Sequence, residues 1–134
     1  MHDGIPESGD VLADKYLIEH VIGQGGMGIV FAATHLLTEK RLAIKCLLPQ
    51  HVRDSGSVER FTREARAAGR IQHRHVIDVF DVGSSQGVPF IVMPRLEGKP
   101  LTDLLQDEHL TLDQVLVVML RAMEGVQAAH AVGI

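Results

Sequence analysis

Cysteine is almost absent from this sequence, and tryptophan is missing altogether. The 134 residues include one cysteine, Cys46, so an internal disulfide is impossible. A chain that folds without disulfides is typical of a reducing compartment, and we therefore expect a cytoplasmic location. Aromatic residues make up only 4% of the chain, so aliphatic side chains must form most of its core.

Long apolar runs and an excess of basic residues are also lacking. The most apolar stretch, residues 115–120, has six residues before Arg121 interrupts it, whereas a membrane-spanning helix needs about 20. The net charge of -4 gives no reason to expect a nucleic-acid partner. Residues 1–14 begin with acidic residues, glycine and proline in place of a signal peptide, and they are predicted to form a flexible tail.

Period-two patterning predicts several short strands. Residues 16–22, 29–31 and 42–48 combine β-branched or aliphatic side chains with turn signals between them. Residues 76–82 and 88–93 predict a further hairpin, because a run rich in glycine and serine joins them.

Helical periodicity appears in two other places. From Ser57 onward, apolar residues recur every three or four positions, and Ser55 or Ser57 is the expected cap of this helix. A long helix is predicted over residues 111–132, opened by a capping box between Thr111 and Gln114.

Three glycines, Gly23, Gly25 and Gly28, form the pattern G-x-G-x-x-G. In a dinucleotide-binding fold this pattern opens a helix, and an acidic residue ends the next strand. Here a strand follows the glycines, and the strand at residues 42–48 ends in Pro49 with no acid. The pattern therefore favours a hairpin tip whose backbone lies over phosphates, with an ordinary glycine turn as the alternative.

A lysine and a glutamate occupy positions that are unusual for charged residues. Lys45 lies between Ala43 and Leu47 in a predicted strand, where an unpaired ammonium is costly. Glu64, nineteen residues later, lies on the inner face of the first predicted helix. The sequence thus predicts an ion pair between Lys45 and Glu64, and the alternative for Glu64 is a solvated surface acid.

Taken together, these motifs resemble the N-terminal lobe of bacterial eukaryotic-like serine/threonine protein kinases. The resemblance rests on residues 16–31, on Ala43-Ile44-Lys45, on Phe61-x-x-Glu64-Ala65 and on residues 89–93. It implies an α+β fold, with a five-stranded antiparallel sheet and one helix, then a hinge and a helical lobe. The implied divisions are a flexible tail at 1–14, an ATP-binding N-lobe at 15–93, and at 94–134 the hinge with the start of the C-lobe.

The same resemblance implies roles for individual residues. Lys45 contacts the ATP phosphates, Glu64 orients Lys45, and Met93 is the gatekeeper next to the hinge. The family usually has an acid where Pro94 stands, although proline keeps the carbonyl that an adenine amino group needs. The implied ATP-contacting residues are Ile22, Gly23, Gln24, Gly25, Gly26, Met27, Gly28, Ile29, Val30, Ala43, Lys45, Met93, Pro94 and Leu96.

Two motifs of the family do not occur in this sequence. A His-Arg-Asp catalytic loop and an Asp-Phe-Gly metal-binding motif are both missing, and Mg²⁺ would be held only through such absent residues. No metal site is predicted, since the histidines are scattered and His73 and His75 are the one close pair. We expect the 134 residues alone to be inactive.

The expected partners are ATP and, by the resemblance, a protein substrate. The apolar residues of the helix predicted at 111–132 almost encircle it, so self-association through that helix is a further expectation. A non-catalytic docking module with a kinase-like surface is the alternative function.

Overall fold

The computed structural model describes residues 4–107 and 109–134. Its centre is a six-stranded sheet with the order β1-β2-β3-β4-β6-β5, and every adjacent pair is antiparallel. The predicted α+β class is confirmed, and a two-residue strand extends the expected five strands to six. The strands are β1 Val11–Leu12, β2 Tyr16–Gln24, β3 Gly28–His35, β4 Arg41–Leu47, β5 Asp81–Ser85 and β6 Val88–Pro94. The helices are α1 Pro49–Val52, α2 Ser55–Ala68, α3 Leu101–Asp107 and α4 Leu112–Ala131.

The N-terminal segment differs from the flexible tail expected at residues 1–14. Ile5 packs against the sheet core, and Leu12 is only 1% exposed. The Gly9 N–H donates to the Ile18 carbonyl at 2.9 Å, which fastens the segment to β2. Apolar side chains in this segment find a partner in the sheet, whereas residues 1–3 lie outside the described part of the chain.

The two faces of the sheet carry different cores. Ile29, Cys46 and Phe90 occupy matching positions on neighbouring strands, and they belong to the larger buried cluster. The opposite face packs against α2 through a smaller cluster of Leu47, Phe61, Ala65 and Ile91. Because successive residues of a strand point to opposite faces, β3 and β4 contribute to both faces in alternation.

Helix α2 begins earlier than the sequence predicted, and its cap is a different residue. The carboxylate of Asp54 accepts from the backbone N–H groups of Gly56 and Ser57. The hydrogen bond from the Ser57 hydroxyl, and then these backbone bonds, lower the pKa of Asp54. The expectation of Ser55 or Ser57 as the cap was wrong, because the carboxylate before them satisfies the same donors with a full charge.

The hairpin of β5 and β6 also begins later than expected. Residues 76–80 form an extended loop and not a strand, and β5 begins at Asp81. The turn is Gln86-Gly87, with φ values of 50° and 81°. Two residues at positive φ indicate a type I′ turn, whose twist matches that of the flanking strands.

Helix α4 has the predicted capping box, with Thr111 and Gln114 each bonded to the other's backbone. Gly125 brings the helix against the loop before β5, since a Cβ there would lie 2.9 Å from the His75 carbonyl oxygen. Beside it, His75 Nε2 lies 3.2 Å from Glu124 Oε2, without the alignment of a hydrogen bond. Among the described residues, no helix is both long and apolar enough to cross a membrane.

Candidate nucleotide-binding site

The glycine-rich loop is the tip of the β2–β3 hairpin. The Gly25 N–H donates to the Gly28 carbonyl at 2.9 Å, and the Leu48 N–H donates to the Met27 carbonyl at 3.0 Å. Among the described residues, apart from the two flanking ones, no atom lies within 4 Å of the position that a Cβ would take at Gly25 or Gly26. The backbone at the tip is therefore open to a ligand, as an approach by phosphate oxygens requires.

Gly28 has the opposite surroundings, because a side chain there has no room. A Cβ at this position would lie 2.9 Å from the Cys46 carbonyl oxygen and 3.1 Å from Lys45 Cε. Because Gly28 has no side chain, the aliphatic part of the Lys45 side chain can pass close to its backbone. This contact places Lys45 beside the glycine-rich loop, as the sequence predicted.

The predicted ion pair between Lys45 and Glu64 is absent from this conformation. Lys45 Nζ lies 5.8 Å from the centre of the Phe61 ring, and Glu64 is exposed on α2 with no partner for its carboxylate among the described residues. The expectation was wrong for the ligand-free chain, because α2 turns Phe61, and not Glu64, toward the sheet.

The remaining predicted residues of β3, β4 and β6 separate by face. Val30 is paired with Lys45 and Ala43 with Met93, so these four residues share the face that also carries α2. Ile29 lies on the other face in the larger buried cluster. Its side chain therefore belongs to the core, and only its backbone is available to a ligand.

The segment after β6 borders a cleft beyond the sheet. Pro94 ends β6 opposite Leu42, and Leu96 is 72% exposed. Ile22 is the extra residue where the pairing of β2 with β3 shifts register, and such bulges redirect a side chain. The cleft has a volume of about 460 Å³ and is lined by Ile22, Arg95, Leu96, Glu97, Gly98, Lys99 and Pro100.

A polar network that the sequence did not predict holds this segment to β2. Glu19 lies at the other bulge of β2, between Ile18 and His20. Its carboxylate accepts from the Thr34 hydroxyl at 2.6 Å and from Arg95 Nη1 at 3.1 Å. The Thr34 hydrogen bond, and then the charge of Arg95, lower the pKa of Glu19. The sequence pattern does not predict this network. A bulge turns a residue toward the other face of its strand, and the alternation of residues in the sequence does not show where a bulge occurs.

A second residue near the loop was also missed. His51 of α1 places Nε2 3.0 Å from the Gly26 carbonyl oxygen. The four-residue helix α1 was not predicted, because Pro49 was interpreted only as the end of a strand, and proline is equally suited to a first helical position.

Comparisons with known proteins agree with this arrangement. Residues 16–134 match the family model described as protein kinase domain. The chain is 38% identical over 129 residues to the probable serine/threonine-protein kinase PknB of Corynebacterium glutamicum, covering 92% of this chain and 20% of that protein. It is 34% identical over 120 residues to serine/threonine-protein kinase PknH of Mycobacterium tuberculosis, covering 89% of this chain and 19% of that protein.

A solved structure gives the same result for the fold. The crystal structure of the Mycobacterium tuberculosis PknI kinase domain superimposes with a TM-score of 0.82 at 28% identity, covering 96% of this chain and 52% of that one. The chain thus spans about a fifth of the length of the curated relatives named above. It belongs to the protein kinase domain family, in its bacterial serine/threonine group, over the N-lobe and the start of the C-lobe.

Proposed function

We propose that this chain is the ATP-binding portion of a serine/threonine protein kinase, which transfers phosphate from ATP to protein serine or threonine. The observation that carries the proposal is the contact between Gly28 and Lys45, where a Cβ on the glycine would lie 3.1 Å from Lys45 Cε. A glycine-rich hairpin tip and a lysine beside it are the two features that phosphate binding requires of this lobe.

In this proposal each part of the site has a separate role. The N–H groups of Gly26 and Met27, which have no acceptor among the described residues, approach the phosphates, and the Lys45 ammonium supplies positive charge beside them. The adenine lies against Ile22, Val30 and Ala43, and the Pro94 carbonyl and Leu96 amide bond to its edge.

Glu64 and a Mg²⁺ ion are the two remaining parts that the kinase family associates with this lysine and with ATP. Glu64 orients Lys45 only after α2 turns, because it is exposed in this conformation. No group of three histidine, cysteine or acidic side chains that could hold a metal ion occurs within the described part of the chain. We therefore propose no Mg²⁺ site on these residues.

The test compares ATP with adenosine. Replacing Lys45 by Met removes the charge and keeps most of the side-chain volume, so ATP affinity is expected to fall about tenfold or more. Adenosine affinity is expected to change little, since adenosine has no phosphates. Lys40→Met is the matched control, because Lys40 is an exposed lysine in the turn before β4. Equal losses for both ligands would place Lys45 outside the phosphate site.

A second candidate function, a docking or self-associating module, is favoured by α4. Most of its apolar side chains are exposed, including Leu116, Leu120 and Met123, and a patch of this kind is typical of an interaction surface.

We also propose a cytoplasmic location, on the ground that the one cysteine is buried and free.

A further inference from the structure

His51 makes the one side-chain hydrogen bond to residues 25–28 that occurs among the described residues. Its Nε2 lies 3.0 Å from the Gly26 carbonyl oxygen. Because the acceptor is a carbonyl, the ring must donate an Nε2–H. Two segments far apart in sequence therefore meet at the tip of the β2–β3 hairpin.

The backbone that carries His51 is itself held in place. Leu48 before it is buried, and Val52 after it packs against the cluster that includes Phe61 of α2. The His51 carbonyl also accepts from the Asp54 N–H at 3.2 Å, and Asp54 caps α2. Helix α1 is thus a fixed support from which the imidazole reaches the loop.

Two consecutive peptide units of the loop are held from the same side. The Gly26 carbonyl accepts from His51, and the Met27 carbonyl accepts from the Leu48 N–H at 3.0 Å. In a trans peptide the N–H points opposite to the C=O. The Met27 N–H therefore points away from His51 and the Gly28 N–H points away from Leu48, and the Met27 N–H, which has no acceptor among the described residues, is left for a ligand.

Besides the bond from His51, the tip is held by the bonds from the Gly25 N–H to the Gly28 carbonyl and from the Leu48 N–H to the Met27 carbonyl. A Cβ at Gly25 or Gly26 would meet no atom within 4 Å, and both residues are exposed. Glycine also loses more conformational freedom on ordering than any other residue. Each hydrogen bond at the tip, including the one from His51, therefore contributes substantially to its order.

We propose that His51 is a positioning residue that holds the glycine-rich loop over the phosphate site through the Gly26 carbonyl. The proposal rests on the nucleotide-binding function proposed above. It adds that the phosphate affinity of the loop depends on a side chain outside the glycine motif, in the helix between β4 and α2.

The experiment uses the 134-residue chain with three substitutions. His51→Leu removes the donor, His51→Gln keeps an N–H donor of similar reach, and Gln50→Leu makes a matched change at an exposed neighbour on α1. The first measurement is amide hydrogen exchange of Gly25 and Leu48, whose N–H groups are bonded to the Gly28 and Met27 carbonyls, by NMR without ligand. The second is the affinity for ATP and for adenosine, and the melting temperature is recorded for each variant.

Loss of one hydrogen bond at the tip is expected to speed exchange of the Gly25 and Leu48 amides about fivefold in His51→Leu. Gln50→Leu is expected to match the wild type, and His51→Gln is expected to recover most of the protection. ATP affinity is expected to fall about fivefold in His51→Leu while adenosine affinity stays unchanged.

Each contrary result has a separate meaning. Unchanged exchange in His51→Leu would overturn the tether itself, whatever the chain binds. Equal weakening of ATP and adenosine would overturn its role in phosphate positioning. Absence of ATP binding by the wild type would overturn the proposed function, and the exchange measurement would still decide whether His51 holds the loop.

Discussion

The Lys45 ammonium lies 5.8 Å from the centre of the Phe61 ring, while Glu64 faces solvent on the next turn of the same helix. An α-helix advances about 100° per residue, so Glu64 is displaced from Phe61 by about 60° around α2. The ring holds the cation only weakly, by about 0.5–1 kcal/mol. Which of the two side chains faces Lys45 therefore depends on the rotation of α2, and the buried ring of Phe61 holds that rotation in place.

Glu64→Gln is expected to leave the ligand-free chain as stable as the wild type. The carboxylate is exposed and forms no ion pair with Lys45, so the free energy of unfolding should change by less than about 0.5 kcal/mol. Urea unfolding measures this, and Phe61→Ala is the contrast, with an expected loss of about 3–5 kcal/mol for a buried aromatic. A large loss in Glu64→Gln would mean that the pair with Lys45 already exists without ligand.

Gly28→Ala is expected to destabilise the chain by about 1–3 kcal/mol, since the added Cβ would meet the Cys46 carbonyl at 2.9 Å. The backbone oxygen cannot move without disturbing the β3–β4 pairing, whereas Lys45 Cε can shift. Gly25→Ala is the matched control, because a Cβ there meets nothing within 4 Å. Equal free energies of unfolding for the two variants in urea would contradict this prediction, since β3 and β4 would then have moved enough to accommodate the Cβ.

Much of the site was predictable because it depends on residues close in sequence or on alternation along a strand. Gly28 and Lys45 meet because β3 and β4 form one hairpin. The position of Glu64 depends on the rotation of α2 about its axis, which is a property of tertiary packing. The bond from His51 to Gly26 joins segments whose separation has no periodicity, so no sequence pattern predicts it.

The start of β5 was not predictable for a related reason. Residues 76–82 are apolar and β-branched enough to form a strand, but pairing with β6 begins only at Asp81. The preceding loop instead contacts α4 at Gly125. A long-range contact thus overrides local strand propensity.

The bond from Tyr16 to Asp81 predicts a pH effect on stability. Burial, and then Asp81 as hydrogen-bond acceptor and neighbouring charge, raise the pKa of Tyr16 to about 12 from its usual value near 10. A phenol whose folded pKa is raised stabilises the fold fully below pH 10, and this stability is lost as pH rises through 12. The wild type should therefore lose up to about 2 kcal/mol more than Tyr16→Phe across this range.

Chemical denaturation at a series of pH values checks this expectation. Cys46, whose pKa is also raised to about 12 by burial, contributes equally to both proteins, so the difference between them isolates the phenol. If the free energies of unfolding of the wild type and Tyr16→Phe fall in parallel between pH 10 and 12, the expectation is contradicted.

The 134-residue chain is expected to bind hydrophobic dyes and to self-associate at micromolar concentration. Leu116, Leu120 and Met123 on α4 are 57%, 54% and 63% exposed, and they form one apolar stripe. Leu116→Lys combined with Met123→Lys should reduce dye fluorescence and shift sedimentation toward the monomer. Leu37→Lys, at a residue 87% exposed in a turn, is the control, and a monodisperse, dye-silent wild type would contradict the expectation.

Phosphoryl transfer by this chain alone is expected to be undetectable. Holding the donor stabilises substrate and transition state about equally, so it does not accelerate the step. The sequence lacks the His-Arg-Asp and Asp-Phe-Gly motifs that position the nucleophile and the metal. A radiolabelled ATP assay with a basic protein acceptor tests this, and Lys45-dependent labelling by the 134 residues would contradict it.

The alternation along β3 determines how this lobe tolerates insertions and deletions. Ile29 belongs to the core, and its neighbour Val30 shares the face of Lys45. Removing a single residue of β3 after Val30, with the remainder of the strand held in register, would transfer Ile29 to the face of Lys45 and Val30 to the core, because the side-chain period of a strand is two. Length changes in this strand therefore affect folding and binding together, whereas a substitution at Val30 alters the binding face while leaving the buried cluster of Ile29 intact.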